Sequence, residues 1–188
     1  MITAIRACLL SAVALSLCSA VAFAQSPAVP PSAKTGPVIR GFGGVYDVPG
    51  ADFKPAGDIT YKTVFSVRDT ADTPSTVNRN IESAARFLNM EVASGVARDR
   101  IKAVVVLHGA AARDALSNEA YRTRFGVDNP NLPLIAQLRE AGVDVYLCGQ
   151  TAAARGLARK EVASEVKMAL SALTVMSALG AQGYTVIQ

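Results

Sequence analysis

The stretch Val143-Asp144-Val145-Tyr146-Leu147-Cys148-Gly149-Gln150-Thr151 reads as a β-strand running into a helix. Val143, Val145 and Leu147 alternate with Asp144, Tyr146 and Cys148, the period of two that a strand imposes on side chains. Gly149 breaks the pattern ahead of the helix-forming run Thr151-Ala152-Ala153-Ala154-Arg155. Cys148 therefore ends a strand. In open α/β sheets, ligands and chemistry collect beyond the carboxyl ends of the strands, and a thiol facing a helix N-terminus meets a positive dipole end that favours thiolate. The competing reading makes Cys148 a small apolar residue filling a strand end, since free cysteine is among the most buried residue types.

Upstream, Leu134, Ile135 and Leu138 form the apolar face of a helix that Gly142 ends. Asn129-Pro130-Asn131-Leu132-Pro133 is the turn before it, with Asn131 expected as N-cap and Pro133 tolerable in the first turn. Ala110 to Phe125 reads as a loop and a short helix. Ile101 to Leu107 is an apolar run of strand length, as buried parallel strands are, and it delivers His108-Gly109 to a strand end. Before it, Ile81, Ala84, Ala85, Leu88 and Val92 recur at helical spacing, giving a helix from about Thr76 to Ser94 that stops at Gly95. Thr60 to Val67 is the first strand. Downstream, the segment around Val166 and Leu170 fits either periodicity, and it precedes an apolar helix ending near Gly180 and a terminal strand over 183–187. Strand and helix alternate throughout, which implies an α/β fold with a parallel sheet and helices on both faces.

The first 24 residues carry the marks of a cleavable signal peptide: Arg6 at the positive end, an apolar stretch from Ala7 to about Ala20, and Ala22-Phe23-Ala24 as the cleavage pattern. The mature chain is expected to begin at Gln25, to be exported to the periplasm or secreted, and to keep no membrane attachment. Cys8 and Cys18 leave with the leader, so Cys148 stays alone and either pairs between chains or remains a free thiol. Residues 25–58, rich in proline and glycine, form an arm or linker with no room for long helices, and Gly41-Phe42-Gly43-Gly44 within it is turn geometry, not a nucleotide loop. Residues 59–188 are the folded domain. The formal net charge of +4 comes without a run of basic residues, which argues against a nucleic-acid partner.

Taken in order, Val106-Leu107-His108-Gly109, Asn129-Pro130-Asn131, Ala141-Gly142-Val143, Cys148-Gly149-Gln150 and Gln182-Gly183-Tyr184 resemble the DsrE/DsrF-like family from about Tyr61 to the C-terminus. The resemblance implies a three-layer α/β/α fold with a five-stranded parallel sheet of order 4-3-2-1-5, assembled as trimers or hexamers. It makes residues 165–171 the fourth strand and sets His108 beside Cys148. Sulfur-transfer members carry a persulfide on a cysteine near this sheet edge and hand it to a partner, which implies a thiol or sulfur donor or acceptor protein here. The signal peptide and the Cys-Gly-Gln pattern depart from the cytoplasmic sulfur-relay members, so the fold carries over better than the function does.

Two function classes follow: a sulfur- or thiol-handling protein with Cys148 as carrier, or a non-catalytic oligomeric module binding a small ligand or partner. In the first, Cys148 and His108 are the reactive pair. Gly109, Asn129, Asn131, Gly149, Gln150 and Arg155 are the surrounding candidates, with Gln150 and Arg155 placed to meet an anion or persulfide at the helix start. For Asn129 and Asn131 the plainer reading is a turn and a cap, and for His108 a satisfied structural group. No cofactor motif is present, zinc-ligand spacing is absent, and so is a Gly-x-Ser-x-Gly hydrolase elbow.

Overall fold

The computed structural model of the protein describes residues 33–56 and 58–188. The proposed leader, with Cys8 and Cys18, lies outside the described residues. Five strands, β1 (Tyr61–Val67), β2 (Ile101–Leu107), β3 (Asp144–Cys148), β4 (Lys167–Ala169) and β5 (Thr185–Ile187), form one sheet of order β4-β3-β2-β1-β5. Every pairing is parallel. This is the expected order, although β4 is only three residues long, inside the wider span expected for it.

Side-chain alternation divides each central strand between two layers. Phe65 and Val67 of β1, Val105 and Leu107 of β2, and Val145 and Leu147 of β3 face α1 (Arg79–Ala93) and α3 (Leu132–Glu140), which contribute Ile81, Leu88, Leu134 and Leu138 to the main core. Val64, Val104, Val106 and Cys148 face the other way, against α5 (Ala172–Gly180). The architecture is a three-layer α/β/α sandwich around an all-parallel sheet.

Helix α1 starts three residues later than its apolar pattern suggests, because Asn78 caps it by accepting from the Asn80 N–H at 2.9 Å, whereas Thr76 belongs to the preceding turn. Two further helices, α2 (Asn118–Phe125) and α4 (Gly149–Ala154), lie at the carboxyl side of the sheet.

The arm packs on its own domain. Ile39 is fully buried, and Asn89 of α1, also fully buried, holds the arm's backbone from one side chain. Its Oδ1 accepts from the N–H groups of Val38 and Ile39 at 3.1 and 2.8 Å, and its Nδ2 donates to the carbonyls of Ile39, Phe42 and Gly43. Residues 41–44 are a bend with Gly41 and Gly43 at positive φ.

Candidate functional site

The strand register carries β2 and β3 to the same level, with Leu107 opposite Leu147, so His108 and Cys148 emerge as neighbours on the α5 side of the sheet. Alternation along β1 puts Ser66 on that side as well. Ser66, His108 and Cys148 thus form a row across three strand ends.

Cys148 occupies the N-cap position of α4 and is 5% exposed. Burial pushes its thiol pKa up. The Thr151 hydroxyl and the backbone N–H groups of Thr151, Ala172 and Gln150 favour the thiolate and outweigh that effect, holding the thiol below its ordinary value. Ala172 is the first residue of α5, so two helix starts converge on one sulfur. Sequence reasoning anticipated the α4 start. The α5 contribution, made across the β3–β4 edge, has no signature in the local sequence.

Gly149 opens α4 as its first residue instead of breaking the chain ahead of it. A Cβ at this position would stand 2.6 Å from the Ala169 carbonyl oxygen and 3.1 Å from that of Leu170. The close approach of the β4 end therefore requires glycine, and it is this approach that brings the following Ala172 N–H to the sulfur.

His108 does not donate to Cys148. Its Nε2 lies 3.0 Å from Ser66 Oγ, on the β1 side, and its backbone N–H donates to the Val67 carbonyl at 3.0 Å. Burial, and then the nearby charge of Arg68, lower its pKa from the usual imidazole value, while Asp69 opposes them. The side chain that favours the thiolate is that of Thr151, three residues beyond Cys148, where a residue at the start of a helix can reach back to its cap position.

Gly109 has φ +55°, and a Cβ there would meet the Arg68 carbonyl at 3.0 Å, so it serves the turn that leaves β2. Asn129 and Asn131 are buried away from the thiol. Asn129 donates to the carbonyls of Asp114 and Leu116 at 2.9 and 2.7 Å and accepts from the Asn131 N–H. Asn131 sits at the N-cap position of α3 but makes no cap bond, because its αR backbone (φ −86°, ψ −20°) does not aim the side chain at the first-turn N–H groups. Its Oδ1 accepts instead from the Asn78 N–H at 2.8 Å. Asn78 in turn donates to Asp114, whose carboxylate also accepts from Thr70. These amides are consumed in a buried network tying the ends of β1 and β2 to the start of α3.

Gln150 contributes its backbone to the sulfur while its side chain is exposed. Arg155, the C-cap of α4, lines a separate cleft with Arg113 and Arg124. Among the described residues no group of three or more His, Cys, Asp or Glu could hold a metal, and no helix is long and apolar enough to cross a membrane.

The family model of the DsrE/DsrF-like family matches residues 62–188, from β1 to the C-terminus. The chain belongs to the DsrE/DsrF-like family. Among solved structures, a protein of unknown function from Methanobacterium thermoautotrophicum, MTH1491, is similar with a TM-score of 0.50 and 16% identity, over 68% of this chain and 97% of that one. At that identity the likeness concerns the fold. No curated protein matches. For this DsrE-type domain, family membership agrees with a sulfur-related role.

Proposed function

We propose that the protein is an exported persulfide carrier in which Cys148 is the sulfur-bearing atom. The observation that carries this reading is the place of the sulfur, at the N-cap of α4 and packed with Ala172 at the start of α5, where three backbone N–H groups and the Thr151 hydroxyl favour thiolate in spite of burial. A persulfide is an anion one sulfur longer, and the same donors suit it. The Cys148 thiolate attacks the terminal sulfur of a polysulfide, a new S–S bond forms, the old S–S bond breaks, and a polysulfide anion one sulfur shorter departs. With no second cysteine in residues 25–188, the adduct persists until an external thiol takes the sulfur.

At 5% exposure the sulfur needs the β4–α5 junction to shift before a partner thiol reaches it. Leu170 and Leu173, which flank that junction, are 72% and 77% exposed and offer apolar surface to a partner or to a second copy in a trimer or hexamer. Burial of the thiol also favours the second reading, a non-catalytic oligomeric binding module.

Incubation with inorganic polysulfide followed by intact-mass measurement separates the two. The carrier gains one sulfur on wild type and none on Cys148→Ala. A wild-type protein that gains nothing while a control thiol is modified leaves the binding-module reading. Light scattering on the same samples tests the assembly, and a monomer at all concentrations counts against it. Recovery of a periplasmic form beginning at Gln25 tests export.

A further inference from the structure

A cleft of about 290 Å³ opens beside the small apolar cluster of Leu116, Tyr121 and Phe125. Three arginines line it, Arg113, Arg124 and Arg155, and no acidic residue does. None of its lining residues belongs to the cluster around Cys148, so the cleft is distinct from the thiol site.

Each arginine arrives from a different element. Arg113 comes from the turn after β2, Arg124 from the last turn of α2, and Arg155 from the end of α4. Arg113 is fixed in place: its Nε donates to Thr70 Oγ1 at 2.8 Å, its Nη2 donates to the Ala71 carbonyl at 2.7 Å, and its guanidinium carbon lies 5.3 Å from the centre of the Phe125 ring. Asp114, buried behind it, is 3.7 Å away. Arg124 donates to Glu161 at 2.6 Å. Arg155 has no hydrogen bond through its side chain and no ion pair among the described residues.

Two of the three charges therefore have an internal counter-ion and the third has none, which leaves the cleft one positive charge in surplus. Like charges converging on a concavity repel, and an anion offsets that repulsion. Holding the fold together uses only some of the five N–H donors that each guanidinium carries, so the three arginines keep donors in reserve. The rest of the wall, Leu116, Phe125 and Leu157, is apolar and suits hydrocarbon.

We infer that this cleft binds a small organic monocarboxylate, with its carboxylate on Arg155 and its apolar body against Phe125 and Leu157. A carboxylate matches the planar fork of a guanidinium, and a single negative charge matches the surplus of one. The volume admits a molecule of a few carbons or one ring. An inorganic anion would leave the apolar wall without a partner, and a neutral alcohol would leave Arg155 without a counter-charge.

Titration of the full-length protein with benzoate, followed by backbone NMR shifts, tests this. Expected are saturable shifts at the cleft, about tenfold weaker binding in Arg155→Gln, and no change in Arg122→Gln, which alters an exposed arginine of α2 outside the cleft and paired with Asp128. Cys148→Ala binds like wild type, and benzyl alcohol binds at least about tenfold more weakly than benzoate. Absence of saturable benzoate binding overturns the inference. So does inorganic phosphate binding as tightly as benzoate, or Arg122→Gln weakening binding as much as Arg155→Gln.

Discussion

Nε2 of His108 lies 3.0 Å from Oγ of Ser66, and this contact turns the chain's single imidazole toward β1, away from Cys148 on β3. The two residues that look like a catalytic pair in sequence are neighbours in register, yet each is served by different partners. His108 is engaged by Ser66, and Cys148 by Thr151 and the starts of two helices. The consequences can be measured separately.

Thr151→Val should raise the pH at which Cys148 reacts. Removing the hydroxyl deletes one of the hydrogen bonds that favour thiolate and leaves the backbone donors in place. Wild-type alkylation by iodoacetamide should rise with a midpoint below the unperturbed thiol value of about 8.5, and Thr151→Val should shift that midpoint upward. Equal midpoints would show that the hydroxyl does not touch the thiolate.

The single histidine makes the second prediction clean. Burial and Arg68 lower the His108 pKa, so the folded state binds the proton less readily than the unfolded chain. Stability from this group is complete above the unfolded value of about 6.5 and falls as pH drops from there toward the lower folded value. The NMR titration of the one imidazole should have its midpoint below about 6.5. Arg68→Gln should raise that midpoint and Asp69→Asn should lower it further. A midpoint at or above the unperturbed value refutes the account.

Gly149→Ala should destabilise the fold by about 1–3 kcal/mol through overpacking, because the added Cβ would meet the Ala169 carbonyl oxygen at 2.6 Å, and backbone yields less than a side chain. Urea unfolding gives the number. The same variant should raise the thiol midpoint, since pushing the β4 end away carries the Ala172 N–H off the sulfur. A variant as stable as wild type would mean that the strand ends are not held so closely.

Asn89→Ala should free the arm. One side chain serves five backbone groups between Val38 and Gly43, and its loss strands buried N–H and C=O groups at a cost of about 2–4 kcal/mol. Limited proteolysis should then cut between residues 33 and 45 much faster than in wild type. Unchanged protection would place the anchoring elsewhere, in the burial of Ile39.

Local patterns along the chain give the order of strands and helices and the place of Cys148. The apolar run Ile101 to Leu107 is β2 from end to end, and the alternation from Val143 to Cys148 marks β3 to within one residue. These patterns are legible because a buried parallel strand and a half-buried one each leave a local period in the chain. The segment that holds the three-residue β4 fits either period, and only the family resemblance placed it. The partners of the site were settled by tertiary structure alone. Ala172 reaches Cys148 because β4 closes tightly over Gly149, and Asn131 serves Asn78 although its position in the chain reads as a cap for α3. Arg113, Arg124 and Arg155 share a cleft although 42 residues separate the first from the last. Hydrogen-bond geometry and charge convergence depend on distances between elements far apart in the chain, and those distances exist only once the layers have packed.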